Sequence, residues 1–80
     1  MNKELARIIG VTAFRSSADM GHLVTLLKEH CSEEERKLYG IAIATAIATI
    51  QIEVLSKIFA EFPELQTDFD RQIKEYGRPF

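Results

Sequence analysis

A single cysteine, Cys31, excludes an internal disulfide, and a reducing cytosol is the compartment that this usage fits. Prolines are confined to positions 63 and 79, so no helix stop is imposed on the first 62 residues. The ten Lys and Arg residues form no block, and the net charge is −2. That balance supplies no long-range attraction for phosphate backbones or anionic lipid, which argues against nucleic acid as a partner. There is no glycine-rich phosphate loop, no GxSxG, and no CxxC or HxxxH spacing. The longest charge-free run, Leu38–Ile52, is 15 residues long and contains Thr45, Thr49 and Gln51. It falls short of the roughly 18 apolar residues that a membrane span needs. The apolar N-terminal stretch is interrupted by Glu4 and Arg7 and lacks a small-residue cleavage site, so it does not read as a secretory signal. A soluble, cytoplasmic protein with no membrane contact is the expectation.

What is present points to helices. The composition, 46% apolar and 28% charged, is that of a globular chain and not of a disordered one. A chain this short buries only about 60–65% of its unfolded surface, which leaves a marginal core unless something else supplements it. Residues 3–14 place Leu5, Ile8, Ile9, Thr12 and Ala13 on one helical face. The cluster Ile8–Phe14 has strand-like composition, but no second such segment exists to pair with it. Ser16, Ser17 and Asp19 supply cap chemistry for a new helix over 18–30, striped by Met20, Leu23, Val24, Leu27 and Cys31. One helix running through 3–30 with a kink at the serines is the alternative.

Ser32-Glu33-Glu34-Glu35 is the strongest local signal, a capping box followed by three acids facing the positive end of a helix dipole. It starts a long central helix over 33–62, about 45 Å at 1.5 Å per residue. A compact chain of this size is only about 30 Å across. The helix therefore kinks, or a second chain covers the excess. Beyond Pro63, the residues Leu65, Phe69, Ile73 and Tyr76 define a C-terminal helix over 64–76, with Gly77 as its left-handed stop and a tail at 77–80. The expected fold is a single all-α domain, a small bundle of three or four helices around the central one, completed by dimerisation.

On the central helix, Ile43, Ile47, Ile50 and Val54 form one ridge, and Ile41, Ile52, Leu55 and Phe59 form another. A furrow of Gly40, Ala44 and Ala48 lies between them, with Gln51 one turn on. Apolar surface over more than half of the circumference requires cover on more than one side. The interface expected for a second copy comprises Gly40, Ile43, Ala44, Ile47, Ala48, Gln51, Val54 and Leu55, with two-fold symmetry as the default. Gln51 either pairs with its symmetry mate to fix register or reaches solvent at the rim.

Chemistry finds little support. His22, His30 and Cys31 are the only soft metal ligands and lack closed-site spacing. Adjacent His30 and Cys31 point to different faces of a helix, which is poor geometry for an activated thiol. The carboxylates Glu33, Glu34, Glu35, Glu61, Glu64, Asp68 and Asp70 read as capping or solvated groups. No cofactor and no catalytic residue is expected. The functional expectation is a non-enzymatic, self-associating interaction module acting as a regulator, adaptor or inhibitor, with itself and another protein as partners. A small DNA-associated regulator, gathering Arg15, Arg36 and Lys37 into a patch, is the first alternative. A metal-binding or catalytic bundle with a site shared between subunits is the second. The tail Tyr76–Phe80 either docks as a recognition peptide or packs back on its own fold.

Overall fold

A computed structural model describes all 80 residues. It is all-helical. Helix α1 spans Lys3–His30 and helix α2 spans Glu33–Thr49; a π-helical turn, Ile50–Leu55, joins α2 to α3, Ser56–Glu61; and α4 spans Pro63–Tyr76. Helix α1 and the α2–α3 rod lie antiparallel as a long hairpin, closed by a tight turn at Cys31 and Ser32. Helix α4 folds back at Phe62 and runs in the same direction as α1, with Glu64 level with Lys3 and Asp68 level with Arg7. The molecule is a slab of 45 × 25 × 15 Å, with a radius of gyration of 14.7 Å against about 12 Å for a compact chain of this length.

The break expected at the serines is absent, and α1 is one helix of 28 residues where two, 3–14 and 18–30, were expected. Ser17 donates its hydroxyl to the Ala13 carbonyl at 3.1 Å, so the side chain bonds within the helix and does not cap a new one. The packed face of α1 is shifted from the expected one, keeping Ile9 and Ala13 but not Leu5, Ile8 or Thr12. Leu5 and Ile8 are exposed, while Ala6, Gly10 and Ala13 are buried. These small residues recur at steps of four and three, continue through Ser17 and Met20, and give the facing rod close access to α1.

The start of α2 follows the sequence signal. Ser32 accepts from the Glu35 amide at 3.2 Å, and Glu35 accepts from the Ser32 amide at 3.0 Å. Near its other end the rod departs from a regular α-helix. Ile43, Ile47, Ile50, Val54, Ile58 and Phe62, at least partly buried, recur at steps of four, three, four, four and four. Successive steps of four drift around a helix of 3.6 residues per turn, and the wider π turn absorbs the drift. Its effect is to turn Leu55 and Phe59, grouped by α-helical periodicity with Ile41 and Ile52, toward the core instead.

The core sits at one end. Every buried residue, namely Ala6, Gly10, Ala13, Leu55, Ile58, Leu65, Phe69 and Pro79, belongs to the end that α4 covers. The Phe69 ring lies against the α1 backbone: a Cβ on Gly10 would come within 2.9 Å of its edge. Phe59 meets the same ring edge-on at 5.5 Å between centroids. Arg7 then ties three segments together, donating to Asp68 Oδ2 at 2.9 Å and to the Phe80 carbonyl at 3.2 Å. Gly77 ends α4 in the left-handed conformation, φ 79°. The tail packs back on its own fold: the Phe80 amide donates to Gln72, its ring packs at a tilt against Tyr76, and Pro79 is buried.

Candidate interaction surface

Beyond the reach of α4 the hairpin is two helices only. Met20, Val24 and Leu27 of α1 and Ile43, Ala46 and Ile47 of α2 are half-buried, and none of the 17 residues of α2 is fully buried. Because α1 is the only helix packed extensively along α2, these half-buried positions mark the side of α2 that faces it. The opposite side faces outward, carrying Leu38 (67% exposed), Ile41 (69%) and Ile52 (63%), with Ala42, Ala44, Thr45, Ala48 and Thr49 also exposed. Thr45 donates to the Ile41 carbonyl and Thr49 to the Thr45 carbonyl, both at 2.8 Å. The two hydroxyls are thereby satisfied within the helix, and this surface carries no unpaired threonine donor.

The residues expected at an interface divide into three groups. Ile43, Ile47 and Val54 are half-buried on the side toward α1, and Leu55 is buried in the chain's own core at 9% exposure. Gly40 is half-buried and lines a groove with Val24, Leu27 and Lys28 between the two helices. Ala44, Ala48 and Gln51 are exposed, and Gln51 sits at the rim of a groove with Phe14, Leu55 and Phe59. Leu38, Ile41, Thr45 and Ile52 were not among the expected residues. Their signal is a spacing of three, four, three and four through Ala48, which the grouping of Ile41 and Ile52 with Leu55 and Phe59 obscured.

A second apolar groove opens between α1 and the π turn, lined by Ile8, Ile9, Thr12, Ala13, Ile50 and Val54. No residue of α4 lines it, and it holds about 350 Å³.

The two histidines and the cysteine do not converge on one site. His22 is exposed, His30 lies 3.7 Å from the Glu29 carboxylate at the surface, and Cys31 is half-buried. No three His, Cys, Asp or Glu side chains converge as a metal site. Glu35 has its carboxyl held below the ordinary carboxylate range, chiefly by the Ser32 amide and then by the Ser32 hydroxyl, which is capping chemistry. Arg36 and Lys37 share a groove with Lys28 and Glu33, whereas Arg15 lines a different one with Asp19 and Arg78. Within one chain, Arg15 does not join Arg36 and Lys37.

The rod Glu33–Glu61 contains an 18-residue window apolar enough, with at most two charged residues, to cross a membrane by length and composition, and none of that window is buried. The strictly charge-free run is shorter, but averaging over 18 residues brings the helix past that threshold. Comparison with protein-family models, curated proteins and solved structures returns no match.

Proposed function

We propose that the protein is a non-enzymatic, cytoplasmic helical interaction module that works by self-association, two hairpins completing one small bundle around a shared α2 core. The observation that carries this reading is that the rod from Leu38 to Ile52, apolar over more than half of its circumference, has no fully buried residue in its own chain. A helix with so wide an apolar arc is stable in water only when covered on more than one side. Regulator, adaptor and inhibitor roles all suit such a module, with another protein engaging the dimer or competing for the same face. The test is sedimentation equilibrium at micromolar concentration, where the expected mass is near twice the 9.1 kDa chain mass. Ala48→Glu places a charge on the exposed face and is expected to give a folded chain of single mass. A wild-type chain that remains a monomer would end this reading.

The exposed apolar rod also supports a second reading, in which α2 enters a bilayer. Two magnitudes favour protein cover over lipid. The charge-free run of 15 residues reaches about 22 Å, short of the roughly 30 Å of hydrocarbon. Insertion of the hairpin would also carry Arg15 and Asp19 of α1 inward, at about 2.5–3.5 kcal/mol each. Flotation with lipid vesicles separates the two readings, and the expected outcome is protein left at the bottom of the gradient.

A further inference from the structure

We propose that the groove between α1 and α2 at the turn end of the hairpin binds a small, soluble organic anion with an apolar body. Lys28, Arg36 and Lys37 hold its carboxylate or phosphate head, and the body lies over Val24, Leu27 and Gly40. The groove is formed within one chain, so it is complete whether or not the protein self-associates.

Helical spacing assembles it. Val24, Leu27 and Lys28 share one face of α1, and Glu33, Arg36, Lys37 and Gly40 share one face of α2, at steps of three and four. The hairpin sets these faces around about 310 Å³, within the range of small-molecule sites. Val24 and Leu27 are half-buried, and the aliphatic stems of the cations extend the apolar wall they make. Glu33 is the one carboxylate among the lining residues, so the groove is positive although the chain is not.

The charges are free to receive an anion. Lys3, Arg7, Lys57 and Arg71 are each matched by a carboxylate of the chain, whereas Lys28 and Arg36 form no salt bridge. Lys37 meets Glu33 at 3.9 Å with both side chains 77% exposed, a contact that solvent weakens. Arg36 and Lys37 also lie toward the positive end of α2, where a cation gains nothing from the helix dipole. A guanidinium fork beside two ammonium groups matches the oxygens of a carboxylate or phosphate.

Gly40 is the independent observation. Glycine inside a helix destabilises it relative to alanine, so its presence calls for a reason. Gly10 has one in the Phe69 ring, but a Cβ on Gly40 would meet nothing within 4 Å, and its backbone is not left-handed. What a side chain there would occupy is the groove itself. Gly21 is equally open but lines no groove. The other grooves lack the combination of apolar wall and free cations. No charged residue lines the one along Ile8 and Val54, and Asp70 is the only charge in the one along Phe59 and Phe69. Beside Arg15, Asp19 supplies a carboxylate and Arg78 lies over the Phe80 ring at 5.5 Å.

The test is amide NMR of the full chain, titrated separately with octanoate and octyl phosphate below their micelle concentrations. The expected result is saturable shifts centred on residues 24–28 and 33–40 with at least one of the two. Inorganic phosphate, the head alone, should bind at least about tenfold more weakly, and Arg36→Gln should lose about tenfold in affinity. Gly40→Leu should abolish the shifts without lowering Tm, which separates a filled groove from a lost fold. Equal binding of octylammonium, wild-type affinity in Gly40→Leu, or no shift with either amphiphile at millimolar concentration would overturn the proposal. Binding to phosphatidylglycerol vesicles without binding to either soluble amphiphile would assign the cations to a lipid surface and overturn it as well.

Discussion

The two ends of the hairpin are built from similar material and reach different degrees of closure. At the end beneath α4, small residues on α1 meet Leu55 and Ile58 on the rod, and Leu65 and Phe69 of α4 seal them from a third side. At the turn end, Met20, Val24 and Leu27 face Ile43 and Ile47, residues at least as apolar, yet none is fully buried. The difference is not hydrophobicity but the number of layers. Two helices shield one line of contact between them, and a third is needed to close a core around it. The turn end has the sequence of an interior and, within one chain, the surroundings of a surface.

That contrast can be broken deliberately. Phe69→Ala removes the ring that joins α4 to α1 and is expected to cost about 3–5 kcal/mol. For a core this small that approaches the whole stability, so loss of the cooperative urea transition is the expected result. The corresponding truncation at the turn end, Leu27→Ala, should cost clearly less, because the side chain is only half-buried. Equal losses in dilute, monomeric protein would erase the distinction between the ends.

Gly10→Ala probes the closed end more finely. The added methyl meets the Phe69 ring at 2.9 Å, and that ring also packs edge-on with Phe59. Overpacking of about 1–3 kcal/mol should outweigh the roughly 1 kcal/mol gained in helix propensity, lowering the urea midpoint.

Ser32→Ala acts at the open end, where it removes the hydroxyl that accepts from the Glu35 amide, leaves the residue-32 amide to donate to the Glu35 carboxylate, and is expected to cost about 1 kcal/mol. A pH signature accompanies it. The folded-state pKa of Glu35 is depressed, so its contribution is present above the ordinary carboxylate range and is lost as pH falls through the lowered value. The acid limb of the stability curve should therefore be shallower in Glu35→Gln than in the wild type, and only slightly shallower in Ser32→Ala, which keeps the amide that is the larger cause. The smallest effect belongs to Arg7→Gln. Its ion pair with Asp68 is about a third exposed, so solvent screening limits the loss to about 0.5 kcal/mol. Faster proteolysis of the tail, freed from the Arg7 contact to Phe80, is the more sensitive readout.

Element ends were largely legible because they depend on local chemistry. Ser32 and Glu35 mark the start of α2, Pro63 opens α4, and Gly77 stops it. Ser16 and Ser17 misled for a related reason. The same hydroxyl that caps a helix also bonds the carbonyl four residues back, and packing along the rod decided which. Most of the α1 seam was hidden because Ala6, Gly10 and Ser17 carry too little side chain to register as an apolar stripe. The candidate surface was half legible: Ala44 and Ala48 are exposed as expected of an interface, whereas Leu55 lies in the core and Ile41 takes the outward place.

The sequence by itself determined that this chain is helical, where its central helix begins, and that this helix is apolar on more sides than one neighbour can cover. Those properties follow from capping groups and from spacing along the chain, which act over a single turn. Only the tertiary structure decided which ridge faces α1, that α1 runs unbroken, and that a π turn rotates Leu55 and Phe59 inward while Ile41 and Ile52 stay in solvent. Periodicity fixes the angle of each residue around its helix, but the side on which a neighbour stands is set by packing between segments far apart in the chain.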